Sequence, residues 1–434
     1  MSTIKEKRVA VTGIGPLTSI GYGRETVWKN ILAGKVSITK EDFEINSEVA
    51  ESFHVHRIKN FSMERFKIEH DLITQLNQGK KDNPSIDLAF FVTAGKLALE
   101  DSKIFYDDDL DDLSLIVSHE NPGMGEFYSS ILKDSFSILE QLNRTLTEKQ
   151  YVEEMYGRLS NKAYDLQTFM FLFYIAKFLK VHGYTQFINN ACASGLYAIE
   201  SASQIIKSGM SSSVLIIAGD HPDIFKYLWF KKIGLYSDDG KIRPFADNST
   251  GFVFGDGAIG IVMEELDHAL KRKAPIYGEY MGGGFTQDGW KVSFPAVTAG
   301  YYKKALINAL LNSKIIKDDV DLIVPHGVGN NITDRFEAKV ISSVFGEHTD
   351  RPYITALKPY FGHNLGGSAL LETAILLLAM SNNVIPPTLN CEKIAPRIKI
   401  NLVTNKIETD INVAVKMACG FAGYNAVSVF RKVL

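Results

Sequence analysis

The sequence predicts an α/β protein built from two similar halves, and three observations lead there. Strand-like apolar runs at 184–188, 320–324 and 353–357 each break beside glycine, with a reactive side chain close to the break. Helical apolar spacing follows two of those breaks, after Ser194 and after Gly367. The two helical segments also align at a constant offset: Gly195-Leu-Tyr-Ala-Ile-Glu200-Ser-Ala202 against Gly367-Ser-Ala-Leu-Leu-Glu372-Thr-Ala374, the mark of a repeated strand-helix unit.

Taken in order, the first break carries Cys192 in Asn190-Ala-Cys192-Ala-Ser-Gly195. A strand ends there and a helix opens, so unpaired backbone N–H groups and the helix dipole are expected to lower the thiol pKa and make Cys192 a nucleophile. A single free cysteine is more often a small packing residue, so this reading depends on its companions. The second break carries His326 in Pro-His-Gly-Val-Gly, outside a strand's carboxyl end, where open α/β sheets place ligands. The third carries Lys358 and His363 in Lys358-Pro-Tyr-Phe-Gly-His363-Asn-Leu-Gly-Gly. One thiol, two imidazoles and a lysine are the parts of a cysteine acyl-transfer enzyme.

Two glycine features suggest phosphate binding without supporting it. Gly255-Asp-Gly257-Ala-Ile-Gly260 satisfies G-x-G-x-x-G, but the following Ile-Val-Met-Glu-Glu is strand-like where that fingerprint needs a helix. Gly282-Gly-Gly284 lacks the lysine and hydroxyl of a phosphate-cradling loop and is expected to mark a close turn. Cys192, Cys391 and Cys419 are too dispersed for a zinc knuckle, and His54-Val-His56 has no further ligands nearby, so no metal site is expected.

The chain resembles the β-ketoacyl-acyl-carrier-protein synthases, the ketosynthases of the thiolase superfamily. Besides the motifs above, the resemblance rests on Arg8-Val-Ala-Val-Thr-Gly-Ile-Gly-Pro16, on Gly234-Leu-Tyr-Ser with Arg243-Pro-Phe through Gly260, and on Cys419-Gly-Phe421-Ala-Gly-Tyr-Asn425-Ala. It implies a thiolase-like α/β fold, two βαβαβ halves packed as a layered αβαβα body, spanning residues 1–265 and 275–434. It implies that Cys192 takes an acyl group from a carrier protein's phosphopantetheine, with the N–H groups of Cys192 and Phe421, the latter after Gly420, as oxyanion hole. His326 and His363 would hold the enolate left when malonyl-carrier loses CO2. Lys358 would hold the site's charge, with Glu337 as its acidic counterpart and Asp334 in support. No cofactor is implied beyond the carrier's phosphopantetheine, although a structural monovalent cation near Glu337 is compatible with the family.

The resemblance also implies partners: an acidic acyl carrier protein, and a second subunit that is either a copy or a ketosynthase-like chain-length partner. Lys80 and Lys81, or Lys271, Arg272 and Lys273, would meet the carrier, and Phe169, Met170, Phe171 and Phe173 would line an acyl channel or pack in a core or subunit interface. Where the family has His-Gly-Thr-x-Thr this chain has His326-Gly-Val328-Gly-Asn330: Asn330 can replace one contact to the pantetheine arm with a longer reach, but Val328 removes another, worth about 1 kcal/mol. That departure favours a specialised type II polyketide or polyene synthase over a fatty-acid elongation synthase. A non-condensing carrier-binding subunit and a coenzyme A thiolase fit less well, since the first needs no reactive set and the second typically has another active cysteine.

Composition is consistent with this. The 434 residues are 45% hydrophobic, enough for a large core, and a formal charge of −3 gives no basis for nucleic-acid binding. Three cysteines, no apolar leader after Met1 and apolar runs shorter than the ~20 residues of a spanning helix point to a reducing, cytoplasmic setting without a membrane span.

Overall fold

The structure is a computed structural model that describes residues 7–45, 48–68, 85–104, 110–122, 124, 127–128, 131, 147–165, 167–293, 295–296, 298–347 and 350–433. Ten strands cross its main sheet: β1 Val9–Thr18, β2 Ser114–Ser118, β3 Thr185–Ile188, β4 Ser213–Asp220, β5 Gly257–Glu265, β6 Gly278–Gln287, β7 Leu322–Val324, β8 Tyr353–Ile354, β9 Val413–Cys419 and β10 Tyr424–Arg431. Their spatial order is β3-β2-β4-β5-β1-β6-β10-β9-β7-β8, with Gly21–Tyr22 as a short extra partner of β1. The order is symmetric about the β1–β6 pair. On one side β3, β2 and β4 are parallel and β5 and β1 antiparallel. On the other, β8, β7 and β9 are parallel and β10 and β6 antiparallel.

Parallel strands covered on both faces read as apolar runs, and every residue of β2 and β4 is buried. What covers them are helices, labelled along the chain as α1 Ile86–Ser102, α2 Thr168–Leu179, α3 Ser194–Ser208, α4 Ile224–Lys232, α5 Gly300–Ser313, α6 Asn331–Phe345 and α7 Leu365–Asn382. The α7 helix touches α3, β4 and β9, so the two repeated helices lie between the two halves of the sheet. Outside them, α1 packs on β1, β4 and β5, and α5 packs on β6 and β10. This is the expected αβαβα layering. Residues 365–380 of α7 are all buried, so its membrane-like length and apolarity reflect its place in the centre of the protein.

Glycines set how closely these layers approach. A Cβ on Gly195 would lie 2.6 Å from the amide nitrogen of Leu370, at the crossing of α3 and α7. The run Gly282-Gly-Gly284 corrects the expectation of a turn, because it lies inside β6. Gly282, at φ 146°, sits at a register shift against β10, and a Cβ on Gly284 would lie 2.0 Å from the Ala305 carbonyl oxygen of α5. Local sequence could not distinguish a glycine needed for helix-on-sheet packing from one needed for a turn. After Gly255-Asp-Gly257 the chain enters β5, the strand expected there.

Candidate active site

Cys192 lies between β3 and α3, two residues before the helix begins. Its turn is tight. Ala191 has φ 50°, a conformation unusual for a residue with a side chain, and Ser194 fastens the turn by accepting from the Asn190 N–H at 2.6 Å and donating to the Ala191 carbonyl at 2.6 Å. The nearby backbone N–H groups of Phe421 and of Cys192 itself favour the thiolate. The expected lowering of the thiol pKa is not what the site produces. Burial pushes the thiol up and the Glu120 carboxyl, with Oε1 3.9 Å from Sγ, pushes it further, which outweighs Lys358 and the two amide donors.

The two imidazoles face the same cleft. Cys192, His326, His363, Val328, Asn330, Gly420 and Phe421 all line one narrow cleft that is partly open to solvent. The His326 and His363 ring centroids are 5.5 Å apart and the rings are nearly perpendicular, at 80°. The Nδ1 of His363 lies 2.8 Å from Ser368 Oγ, and the Nδ1 of His326 lies 3.5 Å from Lys358 Nζ. An ammonium can only donate, so Nδ1 of His326 accepts and its proton sits on Nε2; a Ser368 hydroxyl that donates fixes the same tautomer on His363. Burial, and then the Lys358 charge, hold both imidazoles well below their usual range, so both are neutral N–H donors near pH 7.

Lys358 stands behind His326, fully buried, donating to the His326 carbonyl at 2.5 Å and to Glu372 Oε1 at 2.7 Å. Glu372 Oε2 meets a second buried ammonium, Lys416, at 2.8 Å. The expected pairing of Lys358 with Glu337 is therefore wrong. Glu337 accepts instead from the His326 N–H at 2.7 Å, the Gly327 N–H at 2.8 Å and the Tyr302 hydroxyl at 2.7 Å. Asp334 does the same for the rest of the loop, accepting from Val328 at 3.2 Å, Gly329 at 3.3 Å and Phe245 at 2.8 Å. These two carboxyls hold the His326 loop in shape. Burial pushes Glu337 up and Asp334 up to about 8, against the pull of those backbone donors.

The pantetheine-side residues differ in availability. Val328 faces the cavity as an apolar wall. Asn330 caps α6, its Oδ1 accepting from Ile332 N–H at 3.1 Å and Thr333 N–H at 3.2 Å, so that oxygen is committed to the helix. Phe421 packs edge-on against Phe230, with centroids 5.1 Å apart, and against Trp229 at 5.6 Å. A Cβ on Gly420 would come 3.1 Å from the Asn190 carbonyl oxygen and 3.3 Å from the amide nitrogens of Cys192 and Ala193.

Of the aromatic run in α2, Phe171 is core, packed on Phe91 and His119, while Phe169 and Phe173 are more than half exposed. Arg272 is bound to buried Glu264 and to the Ser102 carbonyl, which removes it from the basic cluster at 271–273. Lys80 and Lys81 lie outside the described residues. No cluster of three metal-ligating side chains occurs among the described residues.

Three charges were missed in the sequence: the buried Glu372 and Lys416 and the partly buried Glu120. Two had signals. Glu372 is an acid in the middle of an apolar helix, and Lys416 interrupts the run Val413-Ala-Val-Lys-Met-Ala. Both mark places where a charge is buried only if paired.

Comparison with known proteins identifies the family. Two family models match, "Beta-ketoacyl synthase, N-terminal domain" over residues 6–269 and "Beta-ketoacyl synthase, C-terminal domain" over residues 277–392. The chain is 26% identical to the 3-oxoacyl-[acyl-carrier-protein] synthase 2 of a Synechocystis species, covering 100% of both chains. Among solved structures it is similar to "The ishigamide ketosynthase/chain length factor", with TM-score 0.83, 23% identity, and 99% of this chain and 100% of that one covered. It is also similar to a structure described as "AntDE:AntF (apo): type II PKS acyl-carrier protein in complex with its ketosynthase bound to the hexaketide", with TM-score 0.80, 22% identity, and 99% and 100% covered.

Proposed function

Because the chain belongs to the β-ketoacyl synthase family, we infer that it is an acyltransferase that forms carbon–carbon bonds on carrier-bound substrates, with Cys192 as nucleophile. The observation that carries this is the shared cleft, lined by one thiol, two neutral imidazoles and the Gly420-Phe421 backbone. Cys192 Sγ attacks the thioester carbonyl of an acyl-carrier protein, the N–H groups of Cys192 and Phe421 hold the oxyanion, and the pantetheine thiol leaves. Malonyl-carrier then enters. As its carboxylate leaves as CO2, the Nε2–H groups of His326 and His363 hold the thioester oxygen that gains charge. The enolate carbon attacks the Cys192 thioester and the product is two carbons longer. Lys358 fixes His326 through its carbonyl and Nδ1, and residues 1–265 and 275–434 act as the two halves that meet at this cleft.

The substrate we assign is a specialised acyl chain of a dissociated polyketide or polyene pathway, because Val328 removes a hydrogen-bonding hydroxyl from the pantetheine side. Fatty-acid elongation is the competing reading, favoured by the name of the Synechocystis relative. An acyl carrier protein is the partner. A second subunit, identical or ketosynthase-like, would cover the outer edge of β3, where the described strand order ends.

The test is intact mass of the protein and of Cys192→Ala after incubation with carriers bearing acyl groups of graded length and unsaturation. Adducts on the native protein that vanish in the variant establish the nucleophile, and the preferred chain separates the two pathways. No adduct from any donor, with or without a partner subunit, refutes the condensing role.

A further inference from the structure

Glu120 has no part in the mechanism above, yet it is the only carboxylate whose contact with the reactive sulfur is seen among the described residues. It lies two residues beyond the end of β2, the strand parallel to β3, and its side chain reaches Cys192 from there. Its backbone carbonyl is fixed by the Asn189 side-chain amide at 2.8 Å, and Gly366 at the start of α7 lies beside it, since a Cβ there would sit in ordinary contact, 3.6 Å from Glu120 Cγ. Both His326 and His363 have their Nδ1 acceptor already engaged, so the described site offers no other base next to the thiol.

We propose that Glu120 is the catalytic proton acceptor for Cys192 in the acyl-transfer half-reaction. The proposal rests on the condensing role assigned above. As Sγ forms its bond to the thioester carbonyl carbon, the S–H proton passes to Glu120 Oε1. The tetrahedral intermediate expels the pantetheine thiolate, breaking its C–S bond, and Glu120 returns the proton to that sulfur. In the condensation step Cys192 leaves as a thiolate and takes a proton from Glu120 after Glu120 has been re-protonated from solvent.

The surroundings fit a carboxyl that exchanges protons near neutrality. Burial raises Glu120 to about 7, Lys226 of α4 lowers it, Asp220 at the end of β4 raises it, and His119 beside it and the Cys192 thiol lower it. Three of these are already paired, Lys226 with Asp220 at 2.6 Å and His119 with Asp87 of α1 at 3.1 Å. The Cys192 thiol points its donor at Glu120 Oε1 across 3.9 Å, the direction the proton would travel.

Alkylation by iodoacetamide tests the proposal without needing a carrier protein. The rate of carbamidomethylation at Cys192, read by peptide mass as a function of pH, is measured on the native protein, Glu120→Gln and Glu120→Asp. The native rate should rise through an inflection near pH 7. In Glu120→Gln that inflection should vanish and the rate at pH 7.5 fall at least about tenfold, climbing one decade per pH unit toward the thiol's own ionisation; Glu120→Asp should retain the inflection. A Glu120→Gln protein alkylated as fast or faster at every pH would overturn the proposal, showing that Glu120 only suppresses the thiolate. A native profile without a near-neutral inflection would overturn it as well, even if the variant failed to fold. Native protein that shows the inflection but takes no acyl group from any carrier would refute the condensing role and leave the proton acceptor standing.

Discussion

Replacing Glu372 with glutamine tests the least expected part of the site, a buried carboxylate shared by two ammonium groups. Lys358 and Lys416 lie 2.7 and 2.8 Å from its two oxygens, and all three side chains are at most 1% exposed. At 2.7 Å and an effective dielectric of about 20, each attraction is worth about 6 kcal/mol before desolvation is subtracted. Desolvation cancels much of that, and the measured cost of removing one partner of a buried pair is about 3–5 kcal/mol, because a charge is left uncompensated. With an unfolding entropy of about 2.1 cal/mol/K per residue, 434 residues give about 0.9 kcal/mol/K, so Glu372→Gln should lower Tm by about 3–6 °C. Adding Lys416→Met removes one of the two stranded charges and should recover part of the loss. Lys358 would also lose the anchor that holds it on the His326 carbonyl, so condensation should fall about 100-fold while acylation of Cys192, read by intact mass, changes far less. A Glu372→Gln protein that melts within 1 °C of the native one would refute the reasoning, as would a double variant less stable than the single.

Because burial and Lys358 hold both imidazoles well below 6.5, they are neutral above that range and are protonated only as pH falls through the lowered value. Decarboxylation of malonyl-carrier should therefore keep its rate from pH 8 to 6, and a decline across that interval would contradict neutral donors. Val328→Thr restores a hydroxyl in the cleft and should lower KM for malonyl-carrier about fivefold, for about 1 kcal/mol, with kcat unchanged. Gly420→Ala puts a methyl 3.1–3.3 Å from the Asn190 carbonyl and the Cys192 and Ala193 amides, so it should displace the oxyanion donors and slow acylation about 100- to 1,000-fold with little change in Tm.

The sequence made Cys192 and His326 legible because each sits just past the end of a strand, and His363 because it follows Gly362, although the short helix Lys358–Phe361 separates it from β8. It made the layering legible too, since α3 and α7 repeat each other. What it could not show was which side chains meet across the sheet. Lys358 and Glu337 are 21 positions apart by number, and Lys358 and Glu372 are 14 apart, yet only the crossing of α7 behind the His326 loop decides that Glu372 is the partner and that Glu337 turns to backbone N–H groups. The thiol was misjudged for a related reason. Helix position is a local property, but burial and the approach of Glu120 from β2 are set by the fold, and they push the pKa the other way.

The symmetry of the sheet gives these placements a common origin. Strand β2 of the first half and β7 of the second occupy matching positions, each flanked by parallel neighbours, and each carries a reactive group two residues past its last residue: Glu120 after Ser118, His326 after Val324. Cys192 follows β3 and Lys358 with His363 follow β8, again matching edge strands. One repeated scaffold thus presents Glu120 and Cys192, the proposed proton acceptor and nucleophile, from one half, and the two neutral imidazoles from the other. The repeated helices diverge in the same way. Glu200 and Glu372 align, but Glu200 lies toward β6 and accepts from the Tyr280 hydroxyl at 2.5 Å, whereas Glu372 lies under the cleft and holds two lysines. A charge at the same position of the same unit is structural in one copy and electrostatic in the other. Glu200→Gln, whose partner is a neutral hydroxyl, should therefore leave condensation intact under conditions in which Glu372→Gln abolishes most of it, and equal losses in the two variants would show that position in the repeat, rather than the lysines around Glu372, sets the effect.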